Sequence, residues 1–486
     1  MSKHLDIAIL GAGVSGLCMG IQLKKAGIES FTLFEKSDGI GGTWHDNRYP
    51  GACCDVPSHF YSFSFERNPK WSRAFSPQPE IQAYLEGCAE KYGVLPHVRF
   101  GVEIAGASFD EHAGVWRVRT TAGEEITARV LVSGLGQLNL PHVPDLPGLA
   151  GFEGTSFHSA RWNESHELTN ERVAVVGNGA SAIQFIPEIA KTAGRVTIFQ
   201  RSANWIIPRN DRAFGDVAKR RFRDHPLLAR ATRTLIWLML ETRFFAVVRH
   251  GRISRRMTKM ATDYLHSIVK DPALRAKLTP DYPIGCKRVL VSDDYYQALV
   301  RENVEVVTSP IARVESGAIV TADGVAHPAD TIVFATGFQT TRFLAPLAIE
   351  GLGGRKLEEA WRDGAEAHLG VTVAGFPNFF LLYGPNTNLG HNSIILMIEC
   401  QVRYALRCIQ ELARRGVTYV DVRREAMERF NVALQQDLAK TTWVANCDSW
   451  YKNEAGKVTN NWSGTTIEYW WRTRTPDWNE FRFVQA

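Results

Sequence analysis

The sequence has few cysteines, no long apolar run and little net charge, and each shortage excludes a class of protein. Its 8 cysteines show no even framework of spacings along 486 residues, so a disulfide-built secreted scaffold is excluded. The most apolar helix-like stretch, residues 235–248, is interrupted by Glu241, Thr242 and Arg243. It falls short of the ~20 residues that span a bilayer. The net charge of +5 demands no nucleic-acid partner and permits an anionic cofactor.

The chain also shows no leader pattern and no flexible linker. Residues 1–6 lead directly into an apolar strand, so we expect no secretory signal and a reducing, cytoplasmic setting. No metal site is predicted. At roughly 100–200 residues per domain, a chain of 486 residues predicts two or three structural units.

The first chemical motif is a glycine turn between an apolar strand and a helix. Residues 7–10 are apolar and lead into Gly11, Gly13 and Gly16 at the spacing G-x-G-x-x-G. These glycines permit a tight turn, a close approach to a pyrophosphate and close helix–strand packing. The next strand ends at Glu35, 19 residues beyond Gly16. A carboxylate at that distance accepts hydrogen bonds from a ribose diol and repels a 2′-phosphate, so this turn favours FAD or NAD.

A second glycine turn differs from the first at the end of its following strand. It contains Gly177, Gly179, Ser181 and Ala182, with alanine in place of the third glycine. The strand of residues 195–199 is followed by Arg201 and Ser202 instead of an acid. An arginine there can pair with a 2′-phosphate, and the serine can add a hydrogen bond. We therefore predict FAD at the first turn and NADPH at the second.

These turns predict an α/β fold with two Rossmann-like dinucleotide-binding domains. The FAD domain is expected to comprise residues 1–145 and 336–486, and the NADP domain residues 150–335 with a helical insertion at about 212–278. The insertion is basic, and the arginines concerned are Arg220, Arg221, Arg223 and Arg230. A basic amphipathic helix can rest on a membrane, but we favour a solvated helical subdomain.

Several longer motifs give the chain a specific resemblance. Residues 152–162 fit the pattern F-x-G-x-x-x-H-x-x-x-W, and residues 41–55 fit G-G-x-W…Y-P-G…D. Residues 285–288 read GCKR, residues 330–337 read DTIVFATG, and residues 448–451 read DSWY. In this order the motifs resemble those of type I Baeyer–Villiger monooxygenases, within the flavin-containing monooxygenase superfamily, over nearly the whole chain.

The resemblance implies an activity and residue roles. The expected reaction is NADPH- and O2-dependent oxidation of a ketone to an ester or lactone through a C4a-peroxyflavin. Arg288 is implied to stabilise negative charge beside the flavin, with Asp55 as its acidic partner. Lys287 and Trp450 are implied to contact NADP. The remaining residues that we assign to the FAD site are Thr43, Trp44 and Tyr61, together with Asp55.

Other interpretations remain open from the sequence. The same flavin chemistry can oxygenate sulfur or nitrogen, and a flavoprotein can sense redox state without turnover. A disulfide reductase is disfavoured because Cys53 and Cys54 are adjacent, a spacing that strains a disulfide. His158 and Trp162 lie on the connection between the two domains, where we favour a hinge role over direct chemistry.

Overall fold

The computed structural model describes residues 3–249, 251–344, 346–445, 447 and 449–485. The strands follow the chain as β1 (Lys3–Leu10), β2 (Phe31–Phe34), β3 (Val98–Arg99), β4 (Ile104–Asp110), β5 (Val115–Thr120), β6 (Glu125–Ser133), β7 (Thr155–His158), β8 (Arg172–Val176), β9 (Arg195–Phe199), β10 (Ile206–Ile207), β11 (Leu290–Val291), β12 (Val304–Val307), β13 (Ile311–Glu315), β14 (Ala318–Thr321), β15 (Ala326–Pro328), β16 (Thr331–Phe334), β17 (Ala348–Glu350), β18 (Phe379–Leu381), β19 (Tyr419–Val422) and β20 (Phe481–Val484).

The α-helices are interspersed among these strands, and four of them follow one another in one all-helical segment. They are α1 (Val14–Lys25), α2 (Thr43–Asp46), α3 (Gln78–Lys91), α4 (Ala182–Ile189), α5 (Asp216–Asp224), α6 (Pro226–Val247), α7 (Arg252–Ile268), α8 (Pro272–Leu278), α9 (Tyr295–Leu299), α10 (Leu357–Ala360), α11 (Ile394–Arg415), α12 (Arg424–Leu438) and α13 (Thr466–Arg472).

The first sheet surrounds β1 and carries the first glycine turn. Its order is β17-β4-β5-β6-β1-β2-β3, with β18 also paired to β6. Ile7, Ala8, Ile9 and Leu10 are almost completely buried, as expected of a parallel strand covered on both faces. Strands β1, β2 and β3 are parallel to one another, and β1 is parallel to β6. The glycine turn follows the carboxyl end of β1. Ligands bind at this edge in sheets of this kind.

The second sheet is entirely parallel and carries the second glycine turn. Its order is β12-β9-β8-β16-β7, with Val173 opposite both Val196 and Thr331. Residues of β8 and β9 are buried after their first position. The first sheet is mixed, since β5 is antiparallel to both β4 and β6. A mixed and a parallel sheet, each with a glycine turn at the end of a central parallel strand, confirm the predicted α/β fold.

The last third of the chain returns to the first sheet. β17 pairs with β4 and β18 pairs with β6, both in parallel. These pairings support an FAD domain built from both ends of the chain, although the domain boundaries stay a prediction. Helices α5 to α8 follow one another between Asp216 and Leu278, where the insertion is expected. In the part of the chain that the structure describes, no helix has both the length and the apolarity to cross a bilayer.

One feature was not expected from the cysteine spacing. Cys286 and Cys447 form a disulfide across 161 residues of sequence. Cys53 and Cys54 are both free thiols, as predicted for adjacent cysteines. The Cys286–Cys447 pairing has no local sequence signal, because its two residues meet only through tertiary packing.

Candidate active site

Two positions of the first glycine turn, Gly11 and Gly16, have backbone geometry that only glycine fits. Gly11 has φ = +89°, and a Cβ on Gly16 would lie 1.9 Å from the carbonyl oxygen of Gly11. Glu35 lies beside this turn and is buried. Its carboxylate accepts hydrogen bonds from the backbone N–H of Ala12 (2.7 Å) and of Ser37 (2.9 Å). A carboxylate has further lone pairs, so Glu35 both fixes the turn and keeps capacity for a ribose hydroxyl.

A cavity of about 330 Å³ connects this turn with the predicted catalytic residues. The residues predicted for the FAD site that line it are Gly11, Gly13, Glu35, Thr43, Trp44, Asp55 and Tyr61. Arg288 lines the same cavity, although it follows the second glycine turn in sequence. Trp44 and Tyr61 brace one wall, since the indole Nε1 donates to the Tyr61 hydroxyl at 3.1 Å.

Arg288 and Asp55 form an ion pair in this cavity. Arg288 Nη2 donates to Asp55 Oδ2, and the Arg288 side chain remains 36% exposed. The charge of Asp55 raises the pKa of Arg288 above its usual value, against the effect of burial. Arg288 therefore stays a cation, held in place by a carboxylate while part of its surface faces the cavity.

The residues predicted for NADPH cluster at the second turn. Gly177 has φ = +103°, and a Cβ on Gly179 would meet no atom within 4 Å, so a ligand can approach that backbone closely. Lys287 Nζ donates to Ser202 Oγ at 2.8 Å. Arg201 is exposed at the end of β9. Strand β9 therefore ends in a polar, cationic group of side chains.

The remaining predicted residues of this turn lie at the start of α4. Ser181 precedes the helix, and Ala182 is its first residue. Ala182 is fully buried, which leaves no room for a larger side chain. Trp450 packs against Tyr451, with ring centroids 4.6 Å apart, and its carbonyl accepts hydrogen bonds from Thr340 and Asn460.

Contacts between the two glycine-turn regions surround the ion pair. Gln184 of α4 accepts hydrogen bonds from the Tyr49 hydroxyl (3.0 Å) and the Cys53 N–H (3.3 Å). Its amide also donates to the Cys53 carbonyl at 3.1 Å. Burial raises the pKa of the Cys53 thiol to about 11, which favours the protonated thiol at neutral pH.

His158 and Trp162 occupy structural positions. His158 is buried, its Nδ1 accepts the N–H of Ala160 at 3.1 Å, and burial lowers its pKa to about 4. Trp162 packs against Phe157 and Phe185, with ring centroids 5.1 and 5.3 Å apart. These contacts support a structural role at the end of β7, and the hinge assignment stays a prediction.

The structure adds residues to which the motifs assigned no role. Tyr383 and Tyr451 lie near enough to Arg288 for their ionised forms to affect its pKa. Burial lowers the pKa of Arg243 in α6, and the charge of Asp55 partly offsets this effect. The only sequence signal for Arg243 was that it interrupts an apolar stretch. Tyr451 is the last residue of the DSWY motif, which assigned it no role. Tyr383 gave no signal, since many tyrosines are simply core residues.

Glu241, the other charge in that apolar stretch, anchors α6 to the neighbouring loop. It is buried, and its Oε1 accepts a hydrogen bond from Asn392 Nδ2 at 2.6 Å. The same oxygen accepts the backbone N–H of Thr466 at 3.2 Å. Asn388 and Asn392 both line the cavity, so the loop that carries them reaches the candidate site.

Comparison with known proteins gives concordant matches. A family model described as flavin-binding monooxygenase-like matches residues 4–349. A Baeyer–Villiger monooxygenase of Streptomyces coelicolor is 43% identical over 485 residues, which cover 99% of this chain and 93% of that protein. A solved structure titled oxidized steroid monooxygenase bound to NADP has a TM-score of 0.88 and 31% identity, with complete coverage of both chains. A closed structure of cyclohexanone monooxygenase has a TM-score of 0.91 at 27% identity, also over both whole chains.

Proposed function

We propose that this protein oxidises ketones to esters or lactones with NADPH and O2. The chain belongs to the flavin-binding monooxygenase-like family. It is therefore a flavin-dependent monooxygenase. The single observation that carries the ketone assignment is the Arg288–Asp55 ion pair, which faces the cavity shared with the first glycine turn.

The first turn and its cavity fit FAD. The open backbone at Gly13 faces the cavity, and a Cβ there would meet no atom closer than 3.5 Å. A pyrophosphate at this point would receive N–H groups from the start of α1, and Glu35 would accept from the ribose. Asp55, Trp44 and Tyr61 would surround the remainder of the cofactor.

The second turn and its cations fit NADPH. Gly179 leaves space for a pyrophosphate at the start of α4. Lys287 contacts Ser202, and Arg201 is the residue before Ser202, so two positive charges lie at the end of β9. A 2′-phosphate has the charge and the acceptor oxygens for such a group, whereas the unmodified ribose of NADH does not.

The chemistry of the ion pair favours carbonyl oxidation. When bound, the flavin accepts hydride from NADPH and activates O2. Arg288 offers several N–H donors in a fixed plane to a negatively charged oxygen, and such donors act most strongly in a site that excludes water. Asp55 orients the guanidinium. Apolar side chains complete the cavity, namely Val56, Leu389, Ile394 and Ile398, so an apolar ketone is the expected substrate class.

A product assay tests this proposal. FAD-loaded protein is supplied with NADPH, ¹⁸O2 and separate panels of cyclic, linear and aryl ketones, and the products are identified by gas chromatography and mass spectrometry. We expect an ester or lactone that carries one ¹⁸O atom. NADPH consumption with no ester from any ketone would overturn the assignment.

A parallel panel of sulfides and amines separates the alternative. Oxygenation of sulfur or nitrogen is chemistry of an electrophilic oxygen donor, for which the Arg288 cation matters less. Heteroatom oxides in the absence of any ester would therefore identify the protein as a heteroatom monooxygenase. Esters together with sulfoxides would leave the ketone assignment in place.

A further inference from the structure

The Cys286–Cys447 disulfide joins two segments that border the candidate site. Its Cα atoms are 6.5 Å apart across a sequence separation of 161 residues. Cys286 immediately precedes Lys287 and Arg288, and Cys447 lies three residues before Trp450. The bond therefore connects the segment of the two cations with the segment of the predicted NADP contact.

Contacts other than the disulfide hold both segments against the C-terminal end of α6. The hydroxyl and the N–H of Thr442 donate to the carbonyls of Val247 (2.5 Å) and Val248 (3.1 Å). Gly285 approaches Val247 so closely that a Cβ there would lie 2.0 Å from the Val247 carbonyl oxygen. Because this packing does not depend on the bond, the two sulfurs remain neighbours when they are reduced.

Access to the two sulfurs is unequal. Cys286 is fully buried, whereas Cys447 is partly exposed. The other six cysteines are free thiols, most of them buried, and burial raises the pKa of Cys88 and Cys400 to about 11. Oxidation by a small solute is therefore expected to begin at Cys447, with Cys286 as the second thiol.

We propose that Cys286 and Cys447 form a reversible oxidation site. It controls how tightly the Trp450 segment, residues 449–451, is held beside Arg288. The oxidant is hydrogen peroxide. The Cys447 sulfur attacks one peroxide oxygen, the O–O bond breaks and one water leaves, which gives a sulfenic acid. The Cys286 sulfur then displaces the hydroxyl group as a second water and forms the S–S bond. In total two thiols and one H2O2 give one disulfide and two waters, and a dithiol reductant reverses the step.

The link to the site is short. Tyr451 lies near Arg288, and the carbonyl of the adjacent Trp450 accepts the Asn460 amide at 2.7 Å. With the bond closed, Cys447 is tied to the segment of Lys287 and Arg288, and Trp450 is held by the hydrogen bonds to its carbonyl. With the bond open, the segment keeps only its packing and hydrogen bonds, so it opens more often. This effect on the coenzyme rests on the proposed NADP site, whereas formation of the bond does not.

The first experiment counts thiols. The FAD-loaded protein is reduced with dithiothreitol, desalted and titrated with hydrogen peroxide, and free thiols are then alkylated before peptide mapping without reductant. We expect a cross-linked peptide pair containing Cys286 and Cys447, absent from Cys286→Ser and Cys447→Ser. The matched control, Cys88→Ser, changes a free cysteine in α3 and should retain the pair. Two thiols that stay reduced after peroxide treatment would overturn the proposal.

The second experiment measures the consequence of the bond. Release of NADP⁺ should be about fivefold or more slower from the oxidised protein than from the reduced protein, a ratio at the lower end of ordinary allosteric coupling. Trypsin should also cleave after Lys452 and Lys457 more slowly in the oxidised state. Cys447→Ser should behave as the reduced protein with or without peroxide. Equal release and equal cleavage in the two states would show a purely structural bond and refute the control role. A protein that binds no NADP⁺ in either state refutes the proposed function instead, and the cleavage rates then decide this inference.

Discussion

Replacing Arg288 by alanine separates its chemical role from a role in coenzyme binding. In the structure this guanidinium pairs with Asp55 and faces the cavity. Removal of one preorganised donor to a developing oxyanion typically lowers kcat by about 10²–10³-fold, which corresponds to about 2.7–4 kcal/mol. We therefore expect Arg288→Ala to lower ester formation by about 10²–10³-fold.

Flavin reduction by NADPH should be affected much less. Hydride transfer precedes the step in which negative charge develops on oxygen, so anaerobic stopped-flow reduction should slow by less than about tenfold, or 1.4 kcal/mol. Asp55 is 28% exposed, so it remains partly hydrated when its partner is removed. Loss of such a partly exposed pair should change the free energy of unfolding by only about 1 kcal/mol, which a thermal melt checks.

Two further variants serve as controls. Arg288→Lys keeps the charge but loses the planar set of donors, so its ester rate should lie between those of the parent and the alanine variant. Arg172→Ala breaks an exposed pair with Asp330 at the start of β8 and should change neither rate. If Arg288→Ala lowers both rates by the same factor, Arg288 acts through coenzyme binding. An unchanged ester rate would refute the assignment outright.

Three other predictions test the cofactor turns and the buried histidines. Arg201→Ala should raise the KM for NADPH about tenfold, since a charged hydrogen bond contributes about 1.5 kcal/mol or more. The KM for NADH should stay unchanged. Equal effects on the two KM values in steady-state kinetics would contradict a contact between Arg201 and the 2′-phosphate. Gly16→Ala should purify without flavin absorbance, because its Cβ would lie 1.9 Å from the Gly11 carbonyl oxygen; normal flavin content would contradict the turn geometry. Burial lowers the pKa of His158 to about 4 and that of His391 to about 3 from the usual 6.5. Stability from these neutral rings is complete above pH 6.5 and is lost as the pH falls toward 4, by up to about 1.4 kcal/mol per pH unit for each histidine. Urea unfolding at several pH values measures the slope, which His158→Gln should reduce; an unchanged slope would refute the assignment of His158.

Local patterns predicted the parts of the fold that depend on neighbouring residues. Strand β9 has the predicted bounds, residues 195–199. The conformation of Gly11 was also predictable from its neighbours, because a tight turn after a buried strand requires a residue that accepts positive φ.

Contacts between distant segments were beyond such patterns. Tyr383, Tyr451 and Arg243 approach Arg288 or Asp55 from three separate parts of the chain. Their convergence depends on how the helical segment and the C-terminal third pack, which residue spacing does not encode. The sequence assigned Arg288 and Asp55 only through resemblance to a family, and the structure supplies the physical contact between them.

The position of this ion pair suggests how coenzyme binding and oxygen chemistry are coordinated. Asp55 follows the first glycine turn in sequence, whereas Arg288 belongs to the region of the second, and Gln184 of that region also bonds to Cys53, two residues before Asp55. The ion pair therefore joins the two regions at the cavity. Lys287, which contacts Ser202 at the second turn, is the residue next to Arg288. Because one peptide bond separates the predicted 2′-phosphate contact from the predicted oxyanion contact, a coenzyme seated on Lys287 also constrains where the Arg288 backbone can lie. Under the proposed function, a coenzyme bound at Lys287 would therefore help to position Arg288 for the reaction with the ketone.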